Sequence, residues 1–269
     1  MNYRHGYHAG NFADVVKHIA LVAVLLHLRK KDTAFSVVDS HAGRGAYDLS
    51  GEQSSLTGEA EKGIARLNGL SGDMPEALSV YLSQVLQAGP YPGSPLIAAR
   101  LLRPQDRLTA VEKHPEEFAL LKQVLAPFRN AVAEQGDGFA RAIKLVPPPS
   151  RRGLVLLDPP FESPNEFSNL ARALRDCHRK FATGVYLAWY PIKSHAETDA
   201  FVGEVLAGGI AKAVTVDTFV SAPEGKLGGA GLLVVNPPFG FDAAIEACAA
   251  VIRPRLEAVI SMRWIAGAP

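Results

Sequence analysis

Apolar positions along the 269-residue chain form several short runs, and longer stretches of helical periodicity separate them. Short Val- and Leu-rich runs bounded by turn residues are typical of strands covered on both faces of a parallel sheet. Polar Asn11 and Asp14 precede an apolar helix that we expect to end near Leu28. We expect strands at residues 35–39, 108–112, 131–134, 154–157 and 185–189. This alternation predicts an α/β fold.

The stretch between the first and second expected strands is far longer than a simple crossover needs. It contains helical patterns near residues 58–67, 75–86 and 95–102. We therefore expect a small helical subdomain at residues 47–91, inserted into a sheet domain that is formed by residues 1–46 and 92–269.

The apolar run before Asp158 ends in Asp158-Pro159-Pro160-Phe161. The prolines restrict the backbone, so Asp158 and the carbonyl of Pro159 are presented in a stiff, non-helical corner beside an aromatic ring. Two acceptors and a ring suit a planar substrate that carries an amino group. The tetrapeptide resembles the Asp/Asn-Pro-Pro-aromatic motif of amino-methyltransferases that use S-adenosylmethionine. The alternative is a purely structural role, in which the tetrapeptide only ends the strand in a tight turn.

A second copy, Asn236-Pro237-Pro238-Phe239, follows another apolar run late in the chain. Parallel α/β sheets bind ligands outside the carboxyl ends of their strands. The first copy follows the fourth expected strand of the alternation, whereas a hairpin return strand before Asn236 would run antiparallel and end at the opposite edge. We therefore assign the substrate to Asp158.

Polar residues also follow the other expected strands. His41 and a Gly43-x-Gly45 turn come after the first, Glu112 ends the second, and Asp137-Gly138 follows the third. Glycines allow close approach of a ligand, and an acidic side chain after the second strand can accept hydrogen bonds from ribose hydroxyls. Taken singly, each is as well explained by an ordinary turn. The third glycine of a dinucleotide fingerprint is missing, which argues against a nicotinamide dehydrogenase.

Composition adds little to this picture. The chain is 48% hydrophobic and 20% charged, with a net charge of +1, so no broad nucleic-acid surface is implied. Basic residues are nevertheless clustered locally, at positions 29–31 and 151–152 among others. Cys177 and Cys248 lack the spacing of a zinc site or a disulfide framework, which favours a reducing cytoplasm. No membrane span, secretion signal or oligomeric seam is indicated, and we expect a monomer.

Taken together, the motifs resemble the RlmJ family of 23S ribosomal RNA adenine-N6 methyltransferases, nearly from end to end. The residues that carry the resemblance are Tyr3-Arg4-His5, His8-Ala9-Gly10-Asn11, Asp14, Lys17-His18, Asp39, His41-Ala42-Gly43, Tyr91-Pro92-Gly93-Ser94-Pro95-Leu96, Asp137-Gly138-Phe139, Ser150-Arg151-Arg152-Gly153, Asp158-Pro159-Pro160, Phe181-Ala182-Thr183-Gly184, Trp189-Tyr190-Pro191 and Asn236-Pro237-Pro238.

The resemblance implies a Rossmann-like class I S-adenosylmethionine-dependent methyltransferase with a small helical insertion. It implies N6 methylation of one adenine, position 2030, of 23S ribosomal RNA. Asp158 would be catalytic and close to the cofactor, and Tyr3 would meet the RNA. The implied cofactor contacts are Lys17 or His18, His41, Ser94, Glu112, Asp137 and Gly138. Phe161 departs from the tyrosine that close relatives often carry, which would remove a phenolic hydrogen bond.

From these residues we expect Asp158 and the Pro159 carbonyl to accept the amine hydrogens while Phe161 stacks on the base. The motif selects the amine and not the polymer. DNA adenine or a glutamine side chain therefore stay open as substrates, as does a relative that binds RNA without turnover.

Overall fold

The computed structural model describes residues 5–50, 57–86 and 89–268. Within them, an eight-stranded sheet carries helices on both faces and a two-stranded ladder lies beside it. The strands are β1 (Ser36–Asp39), β2 (Ala46–Tyr47), β3 (Tyr91–Pro92), β4 (Arg107–Glu112), β5 (Ala131–Gln135), β6 (Gly153–Leu157), β7 (Val185–Pro191), β8 (Ala213–Val220), β9 (Gly229–Val235) and β10 (Ala258–Ala266).

The helices alternate with these strands, which confirms the α/β prediction. They are α1 (Phe12–Arg29), α2 (Glu59–Lys62), α3 (Glu76–Val85), α4 (Ser94–Leu101), α5 (Pro115–Leu125), α6 (Gly138–Leu145), α7 (Glu166–Lys180), α8 (His195–Leu206) and α9 (Phe241–Leu256), with short 3-10 turns at His5–Tyr7 and Ile64–Leu67. The helical pattern near residues 58–67 is divided between α2 and a 3-10 turn.

The strand order is β10-β8-β9-β7-β6-β1-β4-β5. Strands β7, β6, β1, β4 and β5 pair in parallel, so their carboxyl ends lie at one edge of the sheet. Strand β9 pairs antiparallel with both β7 and β8, as predicted for the return strand. Strand β10 was not predicted, because its mixed and partly exposed residues lack the apolar run that marks the central strands.

Helix α1 lies against the sheet and buries most of its length. The Asn11 side chain caps the helix by accepting a hydrogen bond from the Asp14 backbone N–H at 2.9 Å. Most of its apolar residues belong to the largest core cluster, yet Asp14, Lys17 and His18 are buried among them. No helix in the described part of the chain is long and apolar enough to cross a membrane.

The segment at residues 47–91 begins and ends at one place. The β2–β3 ladder pairs Ala46 with Pro92 and Tyr47 with Tyr91, so the two ends of the segment lie side by side. Between them, α3 packs on α1, and the Ile64 backbone N–H donates to the Gly10 carbonyl at 2.8 Å. The assignment of this segment as a separate subdomain stays a prediction.

Candidate active site

The carboxyl ends of the parallel strands open onto a cavity of about 710 Å³. That volume lies within the range of small-molecule sites in proteins. All the site residues predicted from the sequence that fall within the described ranges line it, namely Lys17, His18, His41, Ser94, Glu112, Asp137, Gly138, Asp158, Pro159 and Phe161. Tyr3 lies outside the described residues.

The corner after β6 presents Asp158 toward helix α1. Lys17 Nζ donates to Asp14 Oδ1 at 2.7 Å and to Asp158 Oδ2 at 2.6 Å. The second hydrogen bond joins residues that are 141 positions apart in sequence. The Lys17 side chain is 4% exposed and that of Asp158 is 14% exposed. Asp158 is thus held at one carboxylate oxygen, and Oδ1 remains as an acceptor.

The charges around Lys17 form a buried chain. Burial alone would lower the pKa of Lys17, but the Asp14 and Asp158 carboxylates raise it above its usual value. Burial likewise opposes ionisation of Asp14, yet His5 and Lys17 hold the pKa of Asp14 well below its usual range. His5 Nε2 lies 2.9 Å from Asp14 Oδ2, and the Gly10 N–H donates to the same oxygen at 2.9 Å. The chain fixes the position of the Lys17 ammonium.

Phe161 takes a left-handed backbone conformation, with φ of +51°. Its ring meets Phe167 edge-on at a centroid distance of 4.8 Å and Trp189, from the end of β7, at 5.8 Å. Such edge-to-face contacts stabilise the ring orientation. The corner therefore combines a half-buried aromatic ring in a fixed orientation with the Asp158 carboxylate.

Glu112 lies at the end of β4, as predicted. Its two carboxylate oxygens accept from the Gly43 N–H at 2.9 Å and from the His114 N–H at 2.7 Å. Burial raises the pKa of Glu112, although these backbone hydrogen bonds oppose the shift. Each oxygen keeps a second lone pair, so the carboxylate can still accept from two hydroxyl groups.

Asp137 caps α6 by accepting from the Ala140 N–H at 3.1 Å, and Lys113 Nζ lies 3.2 Å from its second oxygen. The next residue must be glycine, because a Cβ at Gly138 would lie 2.0 Å from the Ser40 carbonyl oxygen. This close approach brings the start of α6 against the end of β1. Burial lowers the pKa of neighbouring His41 to about 4, which favours the neutral imidazole near neutral pH.

The two alternatives from α1 differ in their surroundings. Lys17 contacts Asp158, whereas His18 is buried and its Nδ1 lies 3.0 Å from the Tyr91 hydroxyl. Burial lowers the pKa of His18 to about 3. Ser94 Oγ, at the start of α4, donates to Asp39 Oδ2 at 2.6 Å. The roles of these side chains as cofactor contacts stay predictions.

Comparison with known proteins decides the family. The model of the family described as "Ribosomal RNA large subunit methyltransferase D, RlmJ" matches residues 32–266. Ribosomal RNA large subunit methyltransferase J of Escherichia coli is 37% identical over 250 residues, which cover 90% of this chain and 89% of that protein. Its counterpart from Haemophilus influenzae is 36% identical over 255 residues, covering 91% and 90%. The chain belongs to the RlmJ family.

A solved structure agrees with this membership. Protein LPL1258 from Legionella pneumophila superposes with a TM-score of 0.85 at 31% identity, covering 95% of this chain and 98% of that one. As a member of the RlmJ family, the chain is an S-adenosylmethionine-dependent methyltransferase with a Rossmann-like class I fold.

The polar residues that line the cavity fit that cofactor. S-adenosylmethionine combines ribose hydroxyls, an adenine amino group and a charged amino-acid end. Glu112 offers two acceptor oxygens where the ribose of a nucleotide lies in sheets of this kind. Asp137 and Gly138 follow the next strand, β5, and line the same cavity. The backbone of the turn at Gly43 also lies at the cavity. RlmJ membership and the chemistry of these residues therefore agree.

Three residues that contact the predicted site residues were not singled out from the sequence. Asp39, at the end of β1, is fully buried and accepts from Ser94. Asp14 holds Lys17, and Trp189 packs against Phe161. The sequence carries one usable signal, because Asp14, Lys17 and His18 follow helical spacing on an otherwise apolar helix, where buried charges need partners.

Proposed function

We propose that this chain transfers a methyl group from S-adenosylmethionine to the N6 amine of a single adenine in 23S ribosomal RNA. The observation that carries the proposal is the meeting of the Asp158-Pro159-Pro160-Phe161 corner with Glu112 and Asp137 in one cavity. In this proposal the Asp158 corner binds the target amine, and Glu112 and Asp137 bind the cofactor. The RNA identity rests on the large-subunit ribosomal RNA methyltransferases that the chain resembles.

The bound cofactor supplies an activated methyl group, so the chain mainly has to orient the amine. In the proposed complex, Asp158 Oδ1 and the Pro159 carbonyl accept the two N6 hydrogens, which exposes the nitrogen lone pair. Phe161 stacks on the adenine ring and fixes its plane. Lys17 holds Asp158 in place through Oδ2. After transfer, Asp158 Oδ1 is placed to accept the proton that N6 loses.

The remaining roles follow from position in the cavity. We assign Glu112 to the ribose hydroxyls, Asp137 and Gly138 to the adenine of the cofactor, and His41 and Ser94 to its amino-acid part. Lys17 or His18 completes that set, and Tyr3 is assigned to the RNA. We further infer a monomer that acts in the cytoplasm.

The direct test uses labelled S-adenosylmethionine with protein-free, unmodified 23S RNA, and with 16S RNA and DNA alongside. We expect N6-methyladenosine at one 23S site, and no label with Asp158→Ala. The labelled nucleoside is mapped by nuclease digestion and mass spectrometry. Label confined to DNA or to 16S RNA would contradict the substrate, and label on a ring nitrogen would contradict the role of the proline corner.

A further inference from the structure

Charge is distributed unevenly over this nearly neutral chain. The edge of the sheet that holds the cavity carries buried or half-buried carboxylates at Asp39, Glu112 and Asp158, and an exposed one at Asp137. The opposite edge, where the parallel strands begin, carries a cluster of cations. We call this cluster the basic edge, and its members are Lys30, Lys31, Arg103, Arg107, Arg151 and Arg152.

Strand register brings these residues together. Ser36, at the start of β1, pairs with Arg107 on one side and with Gly153 on the other. Arg151 and Arg152 directly precede Gly153, while Lys30 and Lys31 follow the end of α1. Basic runs that are about 120 positions apart in sequence therefore share one surface.

Two arginines hold this arrangement. The Arg152 guanidinium donates to the Thr33 carbonyl at 2.8 Å and to the Leu28 carbonyl, and Arg103 donates to the Lys31 carbonyl at 2.8 Å. Their guanidinium carbons lie 5.9 Å and 5.5 Å from the centre of the Phe35 ring. Because Arg103 and Arg152 bind the turn after α1, Lys30, Lys31 and Arg151 are presented outward on a fixed backbone.

The outward charges are not neutralised by an ion pair. Asp106 is 0% exposed and pairs with Arg103, and across residues 5–50, 57–86 and 89–268 no ion pair joins Lys30, Lys31 or Arg151 to a carboxylate. Asp32 is the exposed acid in the same turn. Burial lowers the pKa of nearby His27, and the charges of Lys30, Arg152 and Lys31 lower it further. The surface therefore has a positive field.

An exposed aromatic side chain lies at the same edge of the sheet. Phe239 is 92% exposed and follows Pro237-Pro238 at the end of antiparallel β9, whose last residue pairs with the start of β7. Asn236 anchors the turn by donating to the Ala182 and Gly184 carbonyls, each at 2.8 Å. A ring on a rigid turn beside a cationic surface suits stacking on an unpaired base.

We propose that the basic edge and Phe239 form a second RNA-binding surface, which holds a part of the ribosomal RNA remote from the target adenine. The inference rests on the proposed RNA substrate. Lys17 and Lys30 are 13 positions apart on or just after α1, which places the basic edge about 20 Å from the cavity. A long RNA reaches both surfaces, whereas a short hairpin bound at the cavity reaches only one.

The test compares two double variants with equal loss of charge. Lys31→Gln with Arg151→Gln removes two exposed cations of the basic edge, and Arg255→Gln with Arg263→Gln removes two exposed cations elsewhere. Affinity is measured over a series of salt concentrations for a long 23S fragment and for a short hairpin that contains the target adenine. Binding is read without methyl transfer, so a failure of the proposed catalytic function is detected separately.

We expect the first double variant to bind the long fragment roughly tenfold more weakly, with the salt slope reduced by about two. The control double variant should stay within about twofold, as should hairpin binding by either variant. Phe239→Ala should weaken long-fragment binding by about fivefold, and Phe239→Tyr should restore it. Equal loss of affinity in both double variants would overturn the proposal. No loss in the first double variant would also overturn it, and would point to an acidic protein as the partner of this surface.

Discussion

Two corners of nearly the same sequence end strands at opposite edges of this sheet. Asp158-Pro159-Pro160-Phe161 follows β6, which pairs in parallel with β1 and β7. Asn236-Pro237-Pro238-Phe239 follows β9, which runs antiparallel between β7 and β8. Strand direction alone therefore sends the first corner to the cavity and the second to the opposite edge.

Their side chains also have different partners. Asp158 is charge-paired with Lys17 and keeps an acceptor toward the cavity. Asn236 uses its amide N–H groups to bind two carbonyls of the loop before β7. Phe161 packs on Phe167 and Trp189, whereas Phe239 is almost fully exposed. The same tetrapeptide pattern thus lines the cavity in one place and anchors a turn in the other.

The largest expected effect is on turnover. Asp158→Asn should reduce single-turnover methylation by about 10³-fold, because an amide N–H replaces an acceptor for the amine hydrogens. Affinity for S-adenosylmethionine, measured by calorimetry, should change little. Asn236→Asp makes the reciprocal exchange at the other corner and should keep turnover within about twofold, since that corner lies away from the cavity.

Loss of Asp158 also leaves Lys17 with one carboxylate fewer, so a thermal melt has to accompany the assay. Similar losses of turnover in both exchanges would contradict the assignment of the two corners. An equal loss of cofactor affinity in Asp158→Asn would move that residue from the reaction to cofactor binding.

The next effect concerns stability. Asn236→Ala should lower the free energy of unfolding by about 2 kcal/mol, because it removes hydrogen bonds to the Ala182 and Gly184 carbonyls and places alanine at φ of +52°. Asn236→Gly loses the same hydrogen bonds without the backbone strain, and should cost less. Urea unfolding measures both. Lower turnover with unchanged stability would contradict an anchoring role.

Much of the fold was predictable because it depends on local patterns. The Val- and Leu-rich runs identified β1, β4, β5, β6 and β7, and the rule that parallel strands share a carboxyl edge brought Glu112, Asp137 and Asp158 to one cavity. Strand β10 escaped, since an edge strand with an exposed face needs no apolar run.

The contacts between distant residues were not predictable in this way. Lys17 and Asp158 are separated by 141 positions, and Ser94 and Asp39 by 55. No periodicity specifies such pairs; the packing of α1 and α4 against the sheet creates them. The spacing of charges on α1 indicated that partners were needed, but it did not identify them.

A smaller effect, on the pH dependence of stability, tests whether the charge of Asp158 reaches the neighbouring Asp39. Burial raises the pKa of Asp39 to about 7; the Ser94 hydrogen bond opposes this shift and the Asp158 charge adds to it. The unfolded carboxyl releases its proton near pH 4. Between pH about 4 and 7 the folded chain therefore holds one more proton at this site, and Asp39 makes stability fall by about 1.4 kcal/mol per pH unit as the pH rises.

Asp39→Asn should remove that contribution, so the difference in unfolding free energy between wild type and variant should change by about 1.4 kcal/mol per pH unit. His18 and His41, whose pKa values are lowered to about 3 and 4, act in the opposite direction, but they are common to both proteins and largely cancel. Urea unfolding of the cofactor-free proteins from pH 4.5 to 7 measures the difference. A difference that is independent of pH would mean that Asp39 is ionised in the fold. The effect of the Asp158 charge on Asp39 would then be weaker than the burial of Asp39 indicates.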